Sequence, residues 1–233
     1  MVLEFEHRPS DSPWIERVWR SRSTDTAVMT SVARIHWDLV FWTSRDGMQA
    51  GVQGPESRAS LAPVPTDAEF VGIRMALGVT LADLRVPSVV DRFIGLPASE
   101  RTVRLNDRRF RVPGYDEAED FIDALINDQV LVTVPSQGDG DVSDRTRQRR
   151  FLTAVGLPQR TVRQIERVSE AADRIRRGDP FSTVAAECGY FDQPHLARSL
   201  RRFIGRSATE LTAGAETEDP LSLLYKTTSE ARG

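Results

Sequence analysis

The sequence predicts an α+β chain, with an antiparallel β-rich amino-terminal domain ahead of an all-α carboxyl-terminal one. Three observations predict it. Between residues 14 and 112, short runs of β-branched and aromatic residues alternate with turn residues. From Ser143 onward, apolar residues recur at i, i+4 and i+7, the helical period. The charge divides at the same place. Residues 143–213 hold 14 arginines against 8 acids, whereas residues 1–142 hold 15 arginines against 22 acids, in a chain of net charge −3. One compact segment is basic and the rest acidic, the distribution expected if only that segment meets phosphates.

A chain of 233 residues has room for two modest domains with cores of their own. Its 39% hydrophobic and 28% charged content is that of a globular protein. No apolar run approaches the length of a membrane span, and the opening residues MVLEFEHRPSDSP lack a signal-peptide pattern. A cytoplasmic location without a membrane partner is therefore expected. The single Cys188 excludes an internal disulfide and any multi-cysteine metal site.

In chain order, residues 27–35 mix β-branched and small residues, and residues 37–42 (WDLVFW) form a short, very apolar run. Residues 43–47 (TSRDG) read as a turn, with residues 48–54 returning as a hairpin partner. Residues 70–76 and the two runs flanking Asn106 and Asp107 read as further strands. LADL and VVDRFI, within residues 80–94, read as short helices inserted among the strands. Residues 115–128 form a clear helix. Phe121, Ile122, Leu125 and Ile126 share a side, and acids in the first turn match the helix dipole. The stretch VLVTVPSQGDGD, with a proline and two glycines, reads as an interdomain connection. The expected division is a β-rich domain over 1–132, a helical domain over 133–213, and a mobile tail over 214–233.

Residues 179–207 carry the most information. Asp179 is an N-cap type and Pro180 sits where the first helical position tolerates proline. Phe181, Ala185 and Cys188 make one apolar stripe, and Gly189 ends the helix. Asp192 caps the next helix, in which Leu196, Leu200 and Phe203 face inward and Gly205 closes the end. At about 100° per residue, Pro194, Arg198 and Arg201 point away from that stripe, flanked by His195, Ala197 and Arg202. Two helices around a tight turn make a helix-turn-helix, which lays its second helix in the major groove of double-stranded DNA. An ordinary helical hairpin with a solvated arginine face is the competing reading.

A second copy of the signal lies upstream. Ser143 can cap a helix in which Phe151 and Val155 point inward while Arg145, Thr146 and Arg149 point outward, and Gly156 ends it. Pro158 then starts a long helix with an apolar stripe of Val162, Ile165, Val168, Ala172 and Ile175, ending at Gly178.

With both units in view, the sequence resembles the AraC-type (AraC/XylS) family of bacterial transcription regulators. The matching residues are Ser143, Arg145, Gln148, Arg149, Phe151 and Gly156 in the first unit. In the second they are Val184, Ala185, Gly189, Tyr190, Asp192, Gln193, His195, Leu196, Arg198, Phe203 and Gly205. The resemblance covers about 70 residues. It implies two helix-turn-helix subdomains on one linker helix, with recognition helices in adjacent major grooves on one DNA face. It puts Arg145, Gln148 and Arg149 at groove-facing positions of the first unit, and Gln193, His195 and Arg198 at those of the second. Arginine can grip guanine, and glutamine adenine, through two hydrogen bonds. Arg201, Arg202 and Arg206 suit phosphate, which adds affinity without sequence choice.

Two departures fall in the first unit. VLVTVPSQGDGD occupies the place of the family's supporting helix, and Arg147 stands where the family has an apolar core residue. The expectation is a weakened first unit, with the second supplying most of the base reading. A protein-interaction or non-specific DNA-binding role is the alternative.

The resemblance also implies a strand-rich sensor or dimerisation domain, here of a reduced cupin-like kind, with a small-molecule effector and a homodimer as candidate partners. An enzyme is not expected, nor a cofactor or metal. A cupin enzyme needs clustered His and carboxylate ligands, and only His7 and His36 are at hand, with His36 alone in an apolar run. Cys188 reads as a small core residue rather than a nucleophile. Trp14, Trp19, Trp37 and Trp42 read either as barrel core or as an aromatic pocket for an apolar effector.

Overall fold

The computed structural model describes residues 3–24, 27–134 and 143–213. The expected tail, and most of the expected interdomain connection, lie outside the described residues. The β-rich part runs β1 (Leu3–Arg8), β2 (Ile15–Ser23), β3 (Ala27–Ser31), β4 (Asp38–Ser44), β5 (Gly47–Gln53), β6 (Ser60–Val64), β7 (Ala68–Met75) and β8 (Val79–Leu81). A 3-10 helix at Val86–Val89 follows, then β9 (Phe93–Leu96), β10 (Ala98–Ser99), β11 (Thr102–Leu105) and β12 (Arg108–Arg111). A 3-10 turn at Tyr115–Glu117 leads into α1 (Ala118–Asn127) and β13 (Leu131–Thr133). The helical part comprises α2 (Asp144–Val155), α3 (Gln159–Arg176), α4 (Phe181–Glu187), α5 (Gln193–Phe203) and α6 (Ala208–Ala213). An antiparallel β-rich region followed by a helical one is the fold class expected.

Six strands form one antiparallel sheet in the order β1-β2-β7-β4-β5-β9. Strand side chains alternate between faces, so this sheet has two distinct surfaces. One carries Val18, Leu39, Phe41, Val52, Ile73 and Met75, all buried with Phe121, Ile122 and Leu125 of α1 in a single core. Phe41 and Phe121 meet edge to face at 5.5 Å between ring centroids. The opposite surface carries Trp19, Val40, Trp42, Phe70 and Phe93 and faces the separate two-stranded β3–β6 ribbon across a cavity.

The 43–47 turn is the tight hairpin between β4 and β5, with Ser44 paired to Gly47. The Asn106–Asp107 turn is equally tight: both residues take positive φ, 46° and 59°, as a two-residue hairpin between twisted strands requires. The expected helices within residues 80–94 are a correction. LADL begins in β8 and continues as turn, and only Val86–Val89 is helical, as a single 3-10 turn. Asp91 adopts a left-handed φ of 57°, which breaks any helix there, and Phe93–Leu96 is drawn out as a strand along β5.

A second core lies among the helices, and it is not made by them alone. Val32 and Ala33, just past β3, are buried with Ile165, Val168, Leu196, Leu200, Phe203 and Leu211. The ribbon's flanks also close the end of α5. Ala33 N donates to the Phe203 carbonyl at 2.8 Å, and Ala59 N donates to the Arg202 carbonyl at 2.8 Å. The last carbonyls of any helix lack partners within it. Here the β-rich part supplies two of them. Gly205, at φ 78°, makes the approach possible, since a Cβ there would lie 2.7 Å from the Thr30 methyl.

Between the ribbon and the sheet sits a buried ion cluster. Arg74 Nε donates to Asp38 Oδ1 at 3.0 Å, and Arg34 reaches Asp38 at 3.0 Å and Glu56 at 2.6 Å. Burial works to raise the Asp38 pKa, but Arg74 and Arg34 outweigh it and hold the carboxyl below its usual value. Ser31 Oγ and Ser60 Oγ both donate to the Glu56 carboxylate, at 2.6 and 3.0 Å, so both ribbon strands are anchored on one acid.

Candidate nucleic-acid interface

Helix α5 starts where its sequence says. Asp192 is its N-cap, and its carboxylate accepts from His195 N at 2.7 Å. Leu196, Leu200 and Phe203 are buried, whereas Gln193, Pro194, Arg198, Arg201 and Arg202 are exposed and His195 is half-buried. The preceding turn is pinned from α3. Arg167 donates to the Gly189 carbonyl at 3.2 Å and lies over the Tyr190 ring at 4.4 Å, and Tyr190 meets His195 edge to face at 5.2 Å. Gly189 takes φ 71°, the left-handed conformation that allows so sharp a reversal.

Helix α4 begins one residue later than its sequence suggests. Its N-cap is Pro180, and the Asp179 carboxylate instead accepts from Arg174 Nε at 2.7 Å. Arg174 also reaches Glu187 at 2.6 Å, which ties the end of α3 to α4. Val184, Ala185 and Cys188 are buried against α3 and α5, with Phe181 partly so. Burial pushes the Cys188 thiol pKa up, as befits a core residue rather than a nucleophile.

In the first unit, Ser143 caps α2 by accepting from Thr146 N, at 3.4 Å. Arg145, Gln148 and Arg149 are exposed, Thr146 is half-buried, and Ala154, Val155 and Leu157 reach the core with Phe151 at its margin. Arg147 points to solvent and pairs with Asp144 at 3.0 Å. Among the described residues ahead of α2, Leu131–Thr133 form β13, paired with β8. Helix α2 leans on the 3-10 helix of the β-rich part. A Cβ at Gly156 would lie 2.9 Å from Val86 Cγ1 and 3.1 Å from Val90 Cγ2.

Helices α2 and α5 both border one groove of about 750 Å³, whose lining brings together Gln148 and His195 but not Arg145, Arg149 or Arg198. Gln148 and Leu152 of α2, His195 of α5, and Arg160, Arg163 and Arg167 of α3 line it. Those three α3 arginines are groove residues absent from the sequence-based set. Their spacing at i, i+3 and i+7 on the polar face of α3 is the signal that reveals them. Arg145, Arg149 and Arg198 have no ion-pair partner among the described residues. Arg201, by contrast, lies 2.9 Å from Glu210, whose carboxyl the Ser207 backbone N–H and hydroxyl hold below its usual pKa.

The second concavity, of about 720 Å³, is the one between sheet and ribbon. The four tryptophans divide around it. Trp37 is core, donating to the Val79 carbonyl at 2.8 Å, and Trp14 packs at the core's edge. Trp19 and Trp42 line the cavity with Met29, Phe70 and Phe93. His36 Nδ1 lies 2.9 Å from the Met75 carbonyl, and burial lowers its pKa. No group of three or more His, Cys, Asp or Glu among the described residues could hold a metal ion. No helix among them is long and apolar enough to cross a membrane.

Residues 141–214 match a family model described as a helix-turn-helix domain. No curated protein matches the chain. A solved structure of ToxT from Vibrio cholerae aligns over 89% of this chain and 97% of its own, at 9% identity and a TM-score of 0.40.

Proposed function

From the AraC-type helix-turn-helix domain at residues 141–214, we propose that the chain is a sequence-specific DNA-binding transcription regulator. The supporting observation is the paired geometry of α2 and α5: two capped helices beside one linker helix, sharing a groove, each with unpaired exposed arginines. In this reading Arg145, Gln148, Arg149, Gln193, His195 and Arg198 face base edges, and Arg201 and Arg202 face phosphate. The second unit supplies most of the base reading. The β-rich domain spans 1–132 and the DNA-binding domain 133–213.

A salt titration tests this. Binding to random duplex should weaken steeply with salt, because counterions released from the DNA gain less entropy as their bulk concentration rises. Sequences selected from a random pool should bind at least about 10³-fold more tightly. Equal affinity for both would leave the non-specific alternative standing.

The proposal extends to effector control through the β-rich domain. Ser31, Ser60 and Glu56 line the aromatic cavity, and Ala33 and Ala59, just outside the ribbon strands, hold the carboxyl end of α5. A ligand that shifts the ribbon would alter the support of α5, and by linkage DNA would alter the ligand's affinity equally. Trp19 and Trp42 report occupancy. If no compound in a metabolite panel changes tryptophan fluorescence or melting temperature, this extension fails while DNA reading stands.

A further inference from the structure

The most exposed large apolar side chain among those described is Phe191, at 93%. It sits in the turn of the second unit, between the buried Tyr190 and the N-cap Asp192. A ring left in water gains nothing for the fold. Nor is it a loosely held side chain on a drifting loop. Arg167 grips the turn through the Gly189 carbonyl and the Tyr190 ring, and the Asp192 carboxylate locks the next residues to His195 N. The ring therefore projects from a fixed point at the amino end of α5, the end that a recognition helix leads into the major groove.

We infer that Phe191 is a specificity-determining residue, its ring covering the C5-methyl of a thymine at the edge of the site that α5 reads. This rests on the DNA-reading proposal above. The methyl is the one apolar group the major-groove edge presents, and it is the natural partner for a side chain that cannot hydrogen-bond. Gln193, one residue beyond the cap, can then reach a polar base edge while Phe191 selects against a base lacking the methyl. Nothing covalent is involved. The gain comes from apolar surface leaving water on both partners.

The experiment uses the full chain and a duplex selected from a random pool. Each thymine is replaced in turn by deoxyuridine, which removes only the methyl, and affinity is read by fluorescence anisotropy at fixed salt. The expected result is one position at which wild type loses about three- to ten-fold. Phe191→Ala should bind the parent duplex more weakly by a similar factor and show no further loss at that position, with its salt dependence unchanged. Phe191→Leu should keep part of the thymine preference. The inference is overturned if no deoxyuridine position matters to wild type, if Phe191→Ala retains the same methyl sensitivity, or if its loss is uniform across all duplexes. Wild type binding every duplex alike would overturn the DNA-reading proposal itself, a distinct outcome.

Discussion

Set beside α5, helix α2 has nearly the same length, 12 residues against 11, and a comparable run of exposed arginines. The two are nevertheless supported differently. Helix α5 rests along its length on α3 and α4, with Leu196 and Leu200 fully buried, and the β-rich part meets it at its carboxyl end. Helix α2 rests on α3 from one side and on Val86 and Val90 of the β-rich part from the other. Its would-be core residue, Arg147, is a surface ion-pair partner instead. The difference teaches that a recognition helix needs a wall behind it, not a particular wall. A 3-10 turn some 60 residues upstream forms part of that wall for α2, whose buried face is the smaller of the two.

The sharpest way to break this comparison is to remove one arginine from each unit. Arg198→Ala should lose about 1–3 kcal/mol of discrimination between selected and random duplex, and Arg149→Ala distinctly less. Equal losses in a competition assay would mean that α2 reads as well as α5 does, whatever supports it. The caps give a smaller contrast. Asp192→Ala removes a 2.7 Å bond and should cost about 1 kcal/mol in a denaturant melt. Ser143→Ala removes a 3.4 Å one and should cost less. A larger effect at Ser143 would show that α2 depends on its cap because its packing is thin. The smallest effect concerns phosphate. Glu210→Gln frees Arg201, so binding to random duplex should strengthen modestly, with a salt slope steeper by at most about one counterion. An unchanged slope would take Arg201 out of the phosphate-binding set.

What could be read from the sequence follows the distance over which each feature is encoded. The second unit was legible almost to the residue because its cap, its left-handed glycine and its apolar stripe are local. Asp179 misled by one position because a carboxylate beside proline can serve Arg174 as readily as a helix end. The helices expected within residues 80–94 failed for a long-range reason: β5 needed a partner, and the Phe93–Leu96 backbone became one. The sharing of two tryptophans with the core and two with the cavity depends on strand parity and on where the β3–β6 ribbon lies, which no local pattern encodes. The same holds for the wall behind α2 and for the donors from Ala33 and Ala59.

Those two donors set an order of events. Residues 33 and 59 leave the ribosome well over a hundred residues before Arg202 and Phe203, and domains made first can fold first. If the β-rich part folds as it emerges, the final turn of α5 forms against donors that are already synthesised. A chain cut down to its helical part would have to end the same helix in water. In the whole protein, proline at either alanine would remove one of the two donors, and would fix φ there as well.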